Sequence, residues 1–591
     1  MPPADETAAV ARYRVAEWSC RSAVEYANPW RDVELSFVFT TPAGRELRVP
    51  AFWAGGRRWC ARYSSGEVGE HRFRTECSDP RNGGLHGRIG AVRVVEAAGE
   101  NRVDLHRRTG AVRVVEGASD NPLFRRGPVE MDPSRTHLRH ADGTPFFWLA
   151  DTWWMGLAER LRWPEDVQRL TADRVAKGFT VVQIVAGLYP DMEPFDERAR
   201  NEAGFPWDRR FSRINPAYFD AADRRIMHLV EAGIVPCIVG AWGFFVDVAG
   251  AAAMRDHWRY LVARWGALPV VWCLAGEAGM PFYTSAEGAA YMRLGLAERI
   301  RYRNPERVRA WSDVARSVRA LDPFRRPFTV HPTRSGRAQV DDPSLLDFEM
   351  LQTGHLGFST LADTVDMIES ARAAVPRLPL LVGEANYEGE YGSSLEDVQR
   401  YLFWMSMLSG AMGHTYGAHG IWQVNRPDRP YGPSPHGLTY GDRSWQEASE
   451  LLGARQVGLA ARFLASLPWW RFEPHPEWVE PHQGPDDRMG VYAAGVEGEI
   501  AVLFVPMHAL WKVANGVVTL GALHAGERYE VVYFDPIGGA ERVVAEPLVA
   551  GADGRATLPP PAEVRDWVLL VRPEAAGPTA TAVAANIQIR A

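Results

Sequence analysis

The chain has 591 residues, more than a single hydrophobic core serves, so several domains are required. It is 46% hydrophobic and 24% charged with a net charge of −7, an ordinary soluble balance that leaves no basic footprint for nucleic acid or anionic lipid. Its five cysteines, Cys20, Cys60, Cys77, Cys237 and Cys273, have neither metal-ligand spacing nor an even number for a disulfide framework, and no cofactor motif accompanies them.

The start, MPPADETAAVARYR, has no basic segment followed by an apolar one. The longest apolar run, residues 234–254, is interrupted by Pro236, Gly240, Gly243, Asp247 and Gly250. The expectation is a cytoplasmic protein without a membrane span. Short strand-like runs such as VELSFVFTTPAG, RRWCARYSS and EHRFRTECSD, with turn residues about every ten positions, predict an N-terminal β-sandwich over 1–120. GAVRVVE occurs twice there, at 90–96 and 110–116, one copy expected as the last sandwich strand and the other as an extra edge strand. A polar, proline-containing connector covers 121–142.

Beyond the connector the pattern alternates between strand and helix. Eight strands are expected: PFFWLAD, TVVQIVA, IVPCIVGAW, PVVWCLAGE, PFTVHPT, LLDFEMLQTGH, LPLLVGEANYE and AMGHTYGAHGIW. Helices lie between them. Asn215-Pro216 reads as a cap with proline at the first helical position, and Ser393-Ser394-Leu395-Glu396 as a capping box. The fold class is therefore α/β, a (β/α)8 TIM barrel over 121–460. The segment 188–215 is too long for a plain connector and is expected to be an active-site loop. Short strands return in a C-terminal β-sandwich over 461–573, and 574–591 is expected to be a flexible tail.

Two strands end on glutamate, PVVWCLAGE at Glu277 and LPLLVGE at Glu384. A lone glutamate at such a position is more often a cap or a solvated group. Two of them, on the fourth and seventh strands of one barrel, face each other across the mouth where catalytic groups of this fold gather. Glycoside hydrolysis requires such a pair, with carboxyl groups about 5–5.5 Å apart in retaining enzymes and about 6.5–9.5 Å apart in inverting ones. Glu277 is assigned as general acid/base and Glu384 as nucleophile, with Glu388 as the competitor for the second role. Asp151, Trp153, Trp154, Gln183, Trp242, His331, Gln352, His355, Tyr387, Glu388, His414 and Tyr416 lie at or just beyond strand ends and are candidates for binding sugar or orienting the glutamates. No metal set is expected.

The segments ADGTPFFWLADTWW, INPAYFDAADRRI, WCLAGE, LQTGH, GEANYE and HTYGAHGIW together resemble the barrel of the apiosidase-like glycoside hydrolases, family 140 and its DUF4038-type relatives. The preceding sandwich resembles the DUF5060-type domain that accompanies that barrel, and the C-terminal region, with LPWWRFEPHPEWV and YFDPIGG, resembles a collagen-binding-type β-domain. The resemblance implies a retaining, exo-acting hydrolase on plant or microbial glycans, with the acid/base on the fourth strand and the nucleophile on the seventh. Two positions depart from the pattern. Gly276 stands where the larger clan usually carries Asn, so the contact to the sugar 2-hydroxyl must come from elsewhere. Glu277 stands where the apiosidase pattern often carries Asp, which opens the reactive subsite to sugars other than apiose. Two other classes compete: a non-catalytic glycan- or protein-binding protein on an inactive barrel, and a metal-dependent hydrolase built on His331, His355, His414 and His419.

Overall fold

The computed structural model describes residues 8–95, 120–512, 518–561 and 563–574. They form two compact units, one running to Trp470 and the other beginning at Arg471, with 408–410 also grouped in the second. The helix Leu452–Ala465 runs through the expected domain boundary at 460/461. The second GAVRVVE copy and the tail beyond Glu574 lie outside the described residues.

The barrel strands are β1 (Trp148–Thr152), β2 (Val181–Val185), β3 (Val235–Val239), β4 (Val271–Cys273), β5 (Phe328–Thr329), β6 (Glu349–Gln352), β7 (Leu380–Glu384) and β8 (Gly413–Tyr416). All pair in parallel, in the order β5-β4-β3-β2-β1-β8-β7-β6. At the seam the Asp347 amide donates to the Phe328 carbonyl at 2.9 Å and Thr329 Oγ1 to the Phe348 carbonyl at 2.9 Å. Every residue of these strands is buried, because helices cover the outside and side chains fill the axis. That two-sided burial is why the strands read as unbroken apolar runs.

Helices α1 (Glu165–Lys177), α2 (Pro216–Glu231), α3 (Phe245–Trp265), α4 (Pro305–Leu321), α5 (Leu361–Ala373), α6 (Glu396–Leu408) and α7 (Leu452–Ala465) surround the strands. Asn215 precedes α2 as expected, but its side chain caps nothing. Its amide donates instead to the carbonyls of Ala203 and Phe205 at 2.9 and 3.0 Å, pinning the long 188–215 loop. The connector 121–142 is more ordered than its polarity suggests, since Leu138–His140 pairs with Val129–Met131 on one side and Pro145–Phe146 on the other in a small antiparallel sheet.

The N-terminal sandwich packs a five-stranded sheet against a three-stranded one, with the first GAVRVVE copy in the strand Ile89–Val95. It is locked to the barrel by a buried ion cluster. Asp223 of α2 accepts from Arg62 of the sandwich at 2.5 Å and from Arg264 of α3 at 2.8 Å, and Trp265 Nε1 donates to it at 2.7 Å. Burial alone would push the Asp223 carboxyl up, but Arg264 and Arg62 outweigh it and hold it well below the usual range. The sandwich also grips the long loop, Asn28 donating to the Ser212 carbonyl and Arg31 to that of Phe211. The C-terminal unit is a separate double-sheet domain with its own core around Leu503, Val505, Val531, Leu569 and Val571. Among the described residues no helix is long and apolar enough to cross a membrane.

Candidate active site

Beyond β4 the chain is drawn against the end of β3 by a parallel bridge between Trp242 and Gly276. Gly276 is required there, since an added Cβ would lie 2.2 Å from the Trp242 ring. The clan's usual asparagine is thus replaced by the indole itself. Glu277 follows with φ +45°, a left-handed conformation that non-glycine residues seldom adopt and that clusters at functional sites. Its carboxylate accepts from Trp242 Nε1 at 3.3 Å and from Gln352 Nε2 at 3.1 Å.

Glu384, the last residue of β7, is 5% exposed and surrounded by donors. Gln352 Nε2 donates to Oε1 at 2.7 Å and the Tyr387 hydroxyl to Oε2 at 2.6 Å. His355 Nε2 lies 3.0 Å from Oε1 and His331 Nε2 3.2 Å from Oε2. Tyr387 is itself fixed, because Trp154 Nε1 donates to its hydroxyl at 2.9 Å and its ring rests on Gly417, where an added Cβ would be 2.2 Å away. Gln183, inside the barrel, donates to the Gly383 carbonyl at 2.7 Å and so steadies the strand end from beneath. Because one amide nitrogen of Gln352 touches both carboxylates, their facing oxygens are no more than about 6 Å apart.

The two acids are driven in opposite directions. Burial, and then the charge of Glu384, push Glu277 up. Burial would push Glu384 up as well, but His331 and His355 outweigh it and hold the group far below the usual carboxylate range. His355 is raised well above an ordinary imidazole. Its own burial opposes the charge, yet it is clamped between Glu390, 3.1 Å from Nδ1, and Glu384.

Five of the expected residues face away from this pair. Asp151 is fully buried against α1: Arg174 Nε donates to Oδ2 at 2.6 Å, Trp153 Nε1 at 2.7 Å, and the Thr152 amide to Oδ1 at 2.9 Å. Glu388 accepts from the Tyr416 hydroxyl at 2.6 Å and from the Gly453 amide, near the start of α7, at 2.9 Å. His414 lies beside Phe403 of α6, with ring centroids 5.6 Å apart, and burial pushes it down to about 3. Asp151, Trp153, Glu388, His414 and Tyr416 are thus interlayer groups between strands and helices. Successive strand residues point alternately to axis and helices, so a place at a strand end does not decide the side. Trp154, Gln183, Trp242, His331, Gln352, His355 and Tyr387 are the ones gathered with Glu277 and Glu384.

Several groups at the mouth come from loops without a periodic signal. Glu390 orders His355 and also accepts from the Tyr387 amide at 3.1 Å. Asp191, in the loop after β2, donates its backbone amide to the Tyr283 hydroxyl at 3.1 Å, and His436 Nε2 lies 4.0 Å from its carboxylate. Burial, and then the charge of Glu277, push Asp191 up to about 7. Tyr283 and His436 pack ring to ring at 4.8 Å, so the loops after β4 and β8 meet. Only the position of Asp191 in an overlong loop hinted at this in the sequence. Among the described residues no group of three or more His, Cys, Asp or Glu has an arrangement that could hold a metal ion.

An eight-stranded parallel barrel with two facing carboxylates at its C-terminal mouth defines the class of a glycoside hydrolase. The model of the apiosidase-like catalytic domain matches residues 132–471, and that of the DUF5060 domain of unknown function matches 9–78. The chain belongs to the apiosidase-like family and is a glycoside hydrolase. A glycoside hydrolase family 5 structure from Bacteroides vulgatus ATCC 8482 is similar at 18% identity over 77% of this chain and 95% of its own, with a TM-score of 0.61. A second structure from that organism covers 96% of this chain and 100% of its own at 17% identity and a TM-score of 0.62. A third, described as a glycoside hydrolase, covers 76% and 97% at 18% identity and a TM-score of 0.60. At these identities the likeness concerns the fold. No curated protein matches the chain.

Proposed function

We propose that the protein is a retaining, exo-acting glycosidase that removes a terminal monosaccharide, a furanoside or pentose among the candidates, from an oligosaccharide or small glycoside. Glu384 is the nucleophile and Glu277 the general acid/base. The observation that carries this reading is the pair bridged by Gln352 Nε2, one acid pushed up and the other held down. A separation within about 6 Å suits direct attack and leaves little room for an intervening water. In the first step the Glu384 carboxylate attacks the anomeric carbon, the bond to the leaving oxygen breaks, and Glu277 gives that oxygen its proton. In the second, Glu277 takes a proton from water as the water oxygen attacks the anomeric carbon and frees Glu384. Retention is tested by NMR of the first anomer released, and inversion would overturn it.

Exo action is supported by the loops. Asp191 after β2, Tyr283 after β4 and His436 after β8 converge. Arg198 of the β2 loop also donates to the carbonyls of Tyr431 and Pro433 after β8, at 3.0 and 3.2 Å. In a barrel, β4 and β8 lie on opposite sides, so a contact between their loops roofs part of the mouth and favours a pocket over an open cleft. A panel of nitrophenyl furanosides and pyranosides identifies the sugar. Chromatography of early digests should show monosaccharide first, and a ladder of oligomers in its place would count against exo action.

A further inference from the structure

The loop after β7 holds an aromatic residue in an unusual state. Tyr391 has φ +48° and ψ +19°, between Gly389 at φ +83° and Gly392 at φ +67°. A glycine adopts that backbone freely, whereas a tyrosine there is disfavoured by its Cβ. The side chain does not repay this by burial, since Tyr391 is 56% exposed. A large aromatic that strains the chain and stays in solvent is not explained by packing.

Its surroundings give it a place. The ring stands edge-on to His419 at 6.0 Å and 83°, and His419 Nε2 lies 3.8 Å from Glu390, which clamps the His355 that touches Glu384. Partial burial, then the charges of Glu390 and Asp191, raise the pKa of its hydroxyl. The adjoining loop after β6 touches this one, an added Cβ at Gly357 coming within 2.5 Å of the Ser393 carbonyl, and it exposes Leu356 and Phe358. The exposed large side chains of these two loops, Tyr391, Leu356 and Phe358, are therefore apolar surfaces.

We propose that Tyr391 is the platform on which the leaving group of the substrate stacks, its exposed face receiving a ring with an apolar surface, either an aryl aglycone or the C–H face of a second sugar. This rests on the glycosidase reading and adds the leaving-group side to it. The residue acts on specificity and takes no part in bond making.

The experiment compares wild type with Tyr391→Gly and Tyr391→Phe on three substrates sharing one terminal sugar: a nitrophenyl glycoside, a disaccharide and the glycosyl fluoride. With Tyr391→Gly, kcat/KM should fall about tenfold or more for a ring-bearing leaving group and stay within about twofold for the fluoride, which has no ring to stack. The more affected of the two ring substrates identifies the natural partner. Tm should hold or rise, because glycine relieves the backbone, which separates this role from a structural one. Tyr391→Phe should stay close to wild type. An equal loss on the fluoride, no loss on either ring substrate, or a Tyr391→Phe loss as large as that of Tyr391→Gly would overturn the platform. Calorimetric binding of the nitrophenyl glycoside and the disaccharide, in a Glu384→Ala background with and without Tyr391→Gly, reads the platform without turnover. If wild type hydrolyses nothing, the glycosidase reading fails, while tenfold weaker binding would still support the platform and unchanged binding would end it.

Discussion

Glu384 and Glu388 are four residues apart, at the end of β7 and in the loop after it, and both are buried carboxyls with hydrogen-bond partners, yet they belong to different regions of the molecule. Glu384 faces the axis, beside Gln352, His331, His355 and Tyr387, and shares a donor with Glu277. Glu388 faces outward to Tyr416 and the start of α7, with the Asp151–Arg174 pair nearby in the same interlayer, Arg174 lying over the Tyr416 ring. The inner cluster has an exposed side, through the half-buried Glu277 and His355, and its acids differ in proton affinity. The outer one is closed, and its carboxylates are held by Arg174, Trp153, Tyr416 and backbone amides. Buried polarity at a strand end thus serves chemistry on one side of the sheet and architecture on the other.

Substitutions on the two sides sharpen this contrast. The largest effect is expected for Glu384→Ala, a loss of about three or more orders of magnitude in kcat with azide or formate restoring part of it, because the nucleophile is removed and a small anion fits the space. Glu277→Gln should spare nitrophenyl substrates more than natural glycosides in the glycosylation step, since nitrophenolate departs without a proton. Wild-type turnover by Glu384→Ala, with Glu388→Ala inactive though folded, would reverse the comparison.

Asp151→Asn is expected to act on stability. It leaves the buried Arg174 with the partly exposed Asp173 as its remaining carboxylate partner, which costs about 3 kcal/mol and should appear as a lower Tm and urea midpoint. Any protein that remains folded should retain its kcat. Glu388→Gln should be milder, about 1–3 kcal/mol, because an amide still accepts from Tyr416 but cannot satisfy both donors.

His355→Gln should change the pH profile. Glu384 works as the anion and His355 helps to hold its pKa down, so removing the imidazolium raises that pKa and moves the acidic limb of kcat/KM upward. The basic limb follows loss of the Glu277 proton and should move up as well, by less, because the His355 charge also lowers the pKa of Glu277. An acidic limb that stays in place would separate His355 from the control of Glu384. The smallest effect is expected for His414→Leu. This histidine is neutral at working pH and its ring nitrogens have no hydrogen-bond partner among the described residues, so an apolar side chain should change stability by less than about 1 kcal/mol and activity hardly at all.

The sequence by itself determined the barrel, the number of its strands and the two glutamates at their tips. Unbroken apolar runs such as LPLLV arise only where a strand is covered on both faces, and a run that breaks at Gly-Glu marks where it emerges. It also marked the loop 188–215, through length alone. Which way each strand-end side chain points was decided only in the tertiary structure. Asp151 and Tyr416 carry the same polar signature as Gln183 and Gln352, and alternation along a short strand sets them on opposite faces. The proton affinities of the glutamates were equally out of reach, since they depend on His331, His355 and Gln352, which reach Glu384 from strands distant in sequence. Gly276 shows the same division: as a letter it was a missing asparagine, and in the fold it is the space that the Trp242 ring fills.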